Sequence, residues 1–356
     1  MNWLLARRGR NLVSLISICV LLYAAFFTGG DSALQKKRTT TRLLMGTLIS
    51  ITTWGVPEKI EQQGVAEAFA EIARIEDLMS RHKTDSPVAK LNHGAGSGQP
   101  QVVPSELITL LTEAQKIQQL SQGAFNPGLG KLIVLWGFSG DENVVKPPKK
   151  AEIASWLQSF QSAGGIELSQ TDSTISITNP EYGLDLGGIA KGYAIDRAIL
   201  KLKKSGVVNA LVNAGGDLRG IGSKGDASWR VGVQHPRDRE KIVVATEWPA
   251  SPKADMAMVT SGDYERFFIH NQERFHHIIN PNSGYPARSG LLSVSVQADS
   301  ATAADAWSTA FFVLGEDKSR DLLKKLPSVE VLLVRSDGTH WQSDEFRGKW
   351  LGKTTN

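Results

Sequence analysis

From Leu43 onward the chain is a succession of short segments in which apolar positions recur either every second residue or every third to fourth. Leu43 to Trp54, carrying Met45-Gly46-Thr47, alternates like a half-buried strand, and Val65 to Met79 sets Ala68, Ile72, Ile75 and Leu78 along one side of a helix. A second helix is predicted over Ser105 to Gln122, with Pro104 suited to its start, and a third over Ala151 to Ala163. Short strands follow at Ile166 to Leu168 and Thr174 to Ile177, then β-rich runs at Val207 to Val212, Trp229 to Gln234 and Ile242 to Thr246. Met256 to Ile279 reads as a hairpin and Leu291 to Gln297 as a further strand. Helices over Thr302 to Val313 and Lys318 to Lys325, then strands at Val329 to Val334 and Thr339 to Gln342, complete the pattern. The alternation is irregular and no repeat of fixed period is present. That favours an α+β fold, mixed sheets with packed helices, over a doubly wound parallel sheet.

At 356 residues and 41% hydrophobic, the chain can bury a full-sized core, and its 34 glycines point to many turns. The formal charge of +4 is concentrated at one end. Residues 1–42 carry seven Lys/Arg against one Asp, a surplus of six, which leaves the rest of the chain at −2. No basic stripe with interleaved aromatics exists beyond them, so no nucleic-acid partner is expected. Arg7, Arg8 and Arg10 precede the apolar run Leu12 to Phe27, so residues 1–30 fit either a cleaved signal peptide or a retained membrane anchor. In both cases the positive charges stay cytoplasmic and the body faces the periplasm, at the inner membrane or free of it. Residues 31–42 read as a polar tether and 43–350 as the folded domain. The single cysteine, Cys19, lies in the apolar run and cannot form an intrachain disulfide.

Five segments carry candidate chemistry. Leu184 to Arg197 ends a β-like run at Asp185 and two glycines, Gly187 and Gly188, before a helix-forming stretch, where free N–H groups could receive a phosphate. Asp305 and Thr309, four apart on a predicted helix, present two hard oxygens on one face, a donor set suited to magnesium if a phosphate lies nearby. His276 and His277 are adjacent in a strand and point to opposite faces, so only one can face a site, as a general base or as a satisfied structural histidine. Asn213 to Asp217 ends a strand with Gly215-Gly216, a close backbone approach or a plain bulge. Gly123 to Gly130 followed by Trp136 and Phe138 sets aromatics beside a turn, to stack on a flat ring or to pack in a core.

Taken in order along the chain, these segments resemble the ApbE family, the FAD:protein FMN transferases. The resemblance runs from about Leu44 to Leu314, through Met45-Gly46-Thr47, Met79 to Asn92, Ala124 to Pro127, Leu135 to Phe138, Asp185 to Asp196, Asn213 to Asp217, Thr260 to Arg266, His276 to Pro286, and Ala304 through Thr309. It implies an ApbE-like, T-fold-related catalytic domain. The implied reaction is magnesium-dependent transfer of the FMN half of FAD onto a Thr or Ser hydroxyl of a target protein, with release of AMP. On this resemblance Asp305, Thr309 and the backbone carbonyl of Gly188 would hold Mg2+. Met45, His82, Ala124, Phe125, Asn126, Asp185, Lys191 and Ile279 would line the FAD pocket, and His277 would be the base. The implied acceptors are membrane redox subunits with a Ser/Thr-Gly-Ala-Ser/Thr-like motif. Two positions depart from the family's habit: His82 stands where tyrosine is common, and Asn126 where aspartate is usual. Two other functions fit the same residues less fully: an FAD pyrophosphatase yielding FMN and AMP, and a non-catalytic periplasmic FAD-binding protein.

Overall fold

The computed structural model describes residues 36–139, 146–162, 164–251, 253 and 255–351. The expected signal or anchor over 1–30 lies outside them. Among the described residues no helix is long and apolar enough to cross a membrane.

In chain order the strands are β1 (Lys37–Leu44), β2 (Thr47–Trp54), β3 (Gln101–Val102), β4 (Ile166–Ser169), β5 (Thr174–Ile177), β6 (Ala210–Ala214), β7 (Asp217–Ile221) and β8 (Trp229–His235). They continue as β9 (Asp238–Trp248), β10 (Asp255–Gly262), β11 (Phe267–His270), β12 (Glu273–His276), β13 (Leu291–Ala298), β14 (Val329–Arg335), β15 (His340–Gln342) and β16 (Lys349–Trp350). The helices are α1 (Glu58–Met79), α2 (Pro87–His93), α3 (Ser105–Leu120), α4 (Gly130–Leu135), α5 (Lys150–Ser162), α6 (Ala190–Lys204), α7 (Ala301–Leu314) and α8 (Glu316–Leu323).

Eight strands form one sheet in the order β1-β2-β6-β7-β10-β13-β14-β15, antiparallel at every pairing. Side-chain alternation sends one set of residues to each face. Val212, Ala257, Val259, Val294, Val296, Val331 and Leu333 join the core beneath α1, α6 and α7. Leu218, Met258 and Leu332 face the other way, into a second cluster with Trp229, Val233, Val244 and Trp248 from the three-stranded sheet β16-β9-β8. A third cluster gathers Leu132, Trp136, Phe138, Ile153, Trp156, Phe275 and Ile279 around the separate hairpin β11-β12.

Four expectations are corrected. Lys37 to Arg42, read as tether, belongs to β1, and what read as one strand from Leu43 is a hairpin turning at Met45 and Gly46, both at positive φ. The polar Thr39-Thr40-Thr41 run is a strand at the sheet's rim, where both faces meet solvent and apolar alternation is not required. Met256 to Ile279 is not one hairpin: β10 pairs with β7 and β13, and β11 pairs with β12 alone. The β-like run before the two glycines has no ladder; its strand-like pairing among the described residues is an isolated bridge from Gly183 to Leu129. Its alternation arises because Leu184 and Leu186 drop into the core while Asp185 turns outward to an arginine.

Candidate active site

Helices α6 and α7 meet so closely that their backbones touch. A Cβ on Gly192 would lie 2.1 Å from the Ala301 carbonyl oxygen, so only glycine fits there. The contact is fastened from both helices. Asp196 on α6 accepts from the N–H groups of Ala301 and Thr302, each at 2.9 Å, and so caps α7 across the interface, while Ser300 accepts from Ala303 N–H. In return Asp305 on α7 accepts from Gly192 N–H at 3.0 Å.

This packing buries Asp305, 3% exposed, with no ion pair of its own among the described residues. Burial, reinforced by the nearby Asp217 carboxylate and opposed by Lys191, pushes its carboxyl up to about 7. Lys191, the second residue of α6, instead pairs directly with buried Asp217 at the start of β7. Burial pulls the Lys191 ammonium down, but the Asp217 and Asp305 carboxylates outweigh it and hold the group above its ordinary range. With both carboxylates ionised, the one ammonium leaves an excess of one negative charge, which a bound cation would compensate and so favour the ionised Asp305.

Thr309, one turn after Asp305, faces the Gly187-Gly188 turn: a Cβ on Gly188 would sit 3.2 Å from Thr309 Oγ1 and 3.4 Å from the Phe125 ring. Ser261, near the end of β10, lies with its hydroxyl oxygen 3.3 Å from Thr309 Oγ1 and 2.8 Å from Ser308 Oγ. Among the described residues no three His, Cys, Asp or Glu side chains gather to hold a metal. The donors present fit a hard cation nonetheless: one carboxylate, one hydroxyl and backbone carbonyl oxygen at a helix N-terminus, the small oxygen set that magnesium completes with water and phosphate.

The two histidines are not both in a strand: β12 ends at His276, and His277 is the first residue beyond it. His276 is buried edge-on against Phe312, with Nε2 3.0 Å from the Ala287 carbonyl and Nδ1 without a partner among the described residues. His277 is half-buried, with the edge of Phe138 against it at 6.4 Å. Its Nδ1 lies 3.2 Å from the Arg266 carbonyl, which can only accept, so Nδ1 carries the proton and Nε2 presents a lone pair. Burial and then the Arg266 charge hold His277 well below the usual imidazole range, so the ring is neutral at pH 7.

The remaining expected residues have contacts of their own. Asp185 accepts from Gly187 N–H at 2.8 Å and pairs with Arg81 at 2.7 Å, which brings the neighbouring His82 to the same turn. The Asp185 N–H donates to the Pro127 carbonyl, tying down the Ala124-Phe125-Asn126 loop. Asn126 accepts from Gly128 N–H at 2.8 Å, a turn that aspartate would make equally well. Met45 sits in the β1–β2 turn beside the β6–β7 turn, where Gly215 N–H donates to the Leu48 carbonyl. Ile279 is buried in the third cluster, bridged to Pro286. Of the aromatics, Trp136 is wholly core, stacked on Phe275, and only Phe138 reaches the histidine. The residue types and order of these segments were visible in the sequence. Arg81, Asp196, Asp217, Ser261 and Arg266 were not assigned roles, although all five lie in segments that carry the resemblance. Their importance rests on contacts between segments far apart in the chain.

The profile of the ApbE family matches residues 45–333. The FAD:protein FMN transferase of Treponema pallidum (strain Nichols) is 33% identical, over 90% of this chain and 91% of its own length. An FAD:protein FMN transferase of Klebsiella pneumoniae (strain 342) is 30% identical, over 96% and 97%. Among solved structures, the ApbE protein of Thermotoga maritima superposes with a TM-score of 0.77 at 33% identity, covering 87% of this chain and 97% of that one. The flavin transferase ApbE of Vibrio cholerae gives 0.74 at 25% identity, covering 88% and 98%. With the match running from the β1–β2 turn to β14, through every segment of the site, the chain belongs to the ApbE family.

Proposed function

We infer that this chain is an FAD:protein FMN transferase, and we propose that it moves the FMN half of FAD onto a Thr or Ser hydroxyl of an acceptor protein with release of AMP. One observation carries the reading: a buried carboxylate, Asp305, has no ion pair among the described residues and lies beside a hydroxyl and the two-glycine turn that opens α6. Asp305, Thr309 and the Gly188 carbonyl would hold Mg2+, which when bound neutralises charge on the pyrophosphate and the departing AMP. The chain's own residues supply the rest. Lys191 adds a fixed positive charge, and the N–H groups of the first turn of α6 favour a phosphate. His277, neutral and with Nε2 free, takes the proton of the acceptor hydroxyl as its oxygen bonds to the FMN-side phosphorus and the bond to the AMP oxygen breaks. Met45, His82, the 124–126 loop, Asp185 and Ile279 are proposed to surround the dinucleotide.

We propose further that residues 1–30 export the domain, so that the acceptors are redox proteins at the periplasmic face of the inner membrane bearing a Ser/Thr-Gly-Ala-Ser/Thr-like motif. The direct test is mass spectrometry of such an acceptor after incubation with the full chain, FAD and Mg2+. Wild type should add FMN covalently, while Asp305→Ala and His277→Ala should not do so at a comparable rate. Both variants matching wild type would overturn the site assignment. Free FMN and AMP without acceptor modification would point instead to hydrolysis.

A further inference from the structure

A threonine hydroxyl has one proton and two lone pairs, and it serves a cation well only when the proton is directed elsewhere. Three recorded contacts decide where the Thr309 proton goes. Ser308 Oγ lies 2.8 Å from the backbone carbonyl of Asp305, a group that only accepts, so the single Ser308 proton is committed there. Ser261 Oγ lies 2.8 Å from Ser308 Oγ, and since Ser308 has no second proton, Ser261 must be the donor. Thr309 Oγ1 lies 3.3 Å from Ser261 Oγ, and with the Ser261 proton used, Thr309 must donate in its turn. Ser308 is wholly buried, so water does not compete for its end of the chain of bonds.

We infer that Ser261 is a positioning residue for the cation. The relay runs from Thr309 through Ser261 and Ser308 to the Asp305 carbonyl. It turns the Thr309 proton toward β10 and leaves the threonine's lone pairs to the ion. Ser261 touches neither ion nor flavin in this role. It is held by β10, through its register opposite Val294 of β13, while the adjacent Thr260 pairs with Ser295 on the sheet's other face. The inference rests on the metal reading above and deepens it.

Its test reads binding without turnover. The full chain is titrated with Mn2+ alone, and free Mn2+ is followed by electron paramagnetic resonance. Ser261→Ala should raise the dissociation constant about tenfold, about what one lost hydrogen bond to a charged centre costs. Ser308→Ala should also raise it, because it frees the Ser261 proton to oppose the ion, and Ser261→Thr, which keeps the hydroxyl, should remain near wild type. The metal-free melting temperature of each variant should stay within about 3 °C of wild type, the size of a change under 1 kcal/mol. Equal affinity in Ser261→Ala and wild type would overturn the relay, as would an unchanged Ser308→Ala or an equal loss in Ser261→Thr. If Asp305→Ala abolishes binding while Ser261→Ala does not, this inference alone fails. If wild type binds no Mn2+, the metal reading fails with it.

Discussion

Replacing Gly192 by alanine sets two effects against each other. In a helix interior the change should stabilise, by about 1 kcal/mol, because alanine loses less backbone freedom than glycine. Here the new Cβ would lie 2.1 Å from the Ala301 oxygen, 2.5 Å from its carbonyl carbon and 2.8 Å from Thr302 N, all of them backbone atoms. No rotamer can relieve such a contact, so α6 and α7 must part by roughly 1 Å to reach ordinary van der Waals separation. Overpacking of this kind costs about 1–3 kcal/mol or more. The separation also stretches the bonds from Gly192 to Asp305 and from Ala301 and Thr302 to Asp196, each about 1.5–3 kcal/mol as a bond to a charged group. Partial loss of these, less the propensity gain, gives a net destabilisation of about 2–4 kcal/mol, or a fall in melting temperature of about 5–10 °C. Differential scanning calorimetry of the metal-free protein measures it directly, with Mn2+ affinity as a second readout, since Asp305 moves with α7. A melting temperature equal to or above wild type would show that the two helices are not in backbone contact.

Gly188→Ala is a milder perturbation, since the new Cβ meets only side-chain atoms at 3.2 and 3.4 Å; cation affinity should fall with little change in metal-free stability, measurable in the same titration. His277→Ala should lower the transfer rate by about 10²–10⁴ while leaving FAD affinity within a few-fold, whereas His276→Ala should chiefly lower stability; equal kinetic losses would reverse the assignment. Because His277 acts deprotonated and its ionisation lies well below 6.5, activity at saturating Mg2+, which would keep Asp305 ionised, should persist as pH falls through 6.5 and be lost only further into acid, which a rate–pH profile at that Mg2+ concentration checks. Glu71 on α1, bonded to Arg74 and reached by Arg197, is held down from 4.5 to about 2. Its folded value is depressed, so its contribution is complete above pH 4.5 and is lost as pH falls toward 2. With Arg74 half exposed, the solvent-screened contribution is about 1–2 kcal/mol, and urea melts of Glu71→Gln and wild type should differ at pH 7 and converge near pH 2.

The helices were legible wherever one face is apolar and the other wet: α3 and α7 match their predicted spans to within about two residues. The start of α1 was missed because Glu58 to Gln63 is charged and polar almost throughout, and only tertiary packing commits it to the helix. Strand pairing was less legible. Nothing in the residues of β10 says that its partners are β7, a few dozen residues earlier, and β13, beyond an intervening hairpin. At the site, the residues offering oxygens or imidazole could be named because their types and order along the chain are distinctive. The residues that hold them could not. Asp196 looks like any helical aspartate until α7 is docked on it, and Ser261 is one small hydroxyl among many until Thr309 lies beside it.

The junction of α6 and α7 joins residues separated by 113 positions, and β7 and β10 reach it from the stretch between. Because α7 spans residues 301–314 of 356, the last donors emerge only when most of the chain has been made. A nascent polypeptide therefore has no place for the proposed ion and dinucleotide, and competence arrives in one step when the final helix closes.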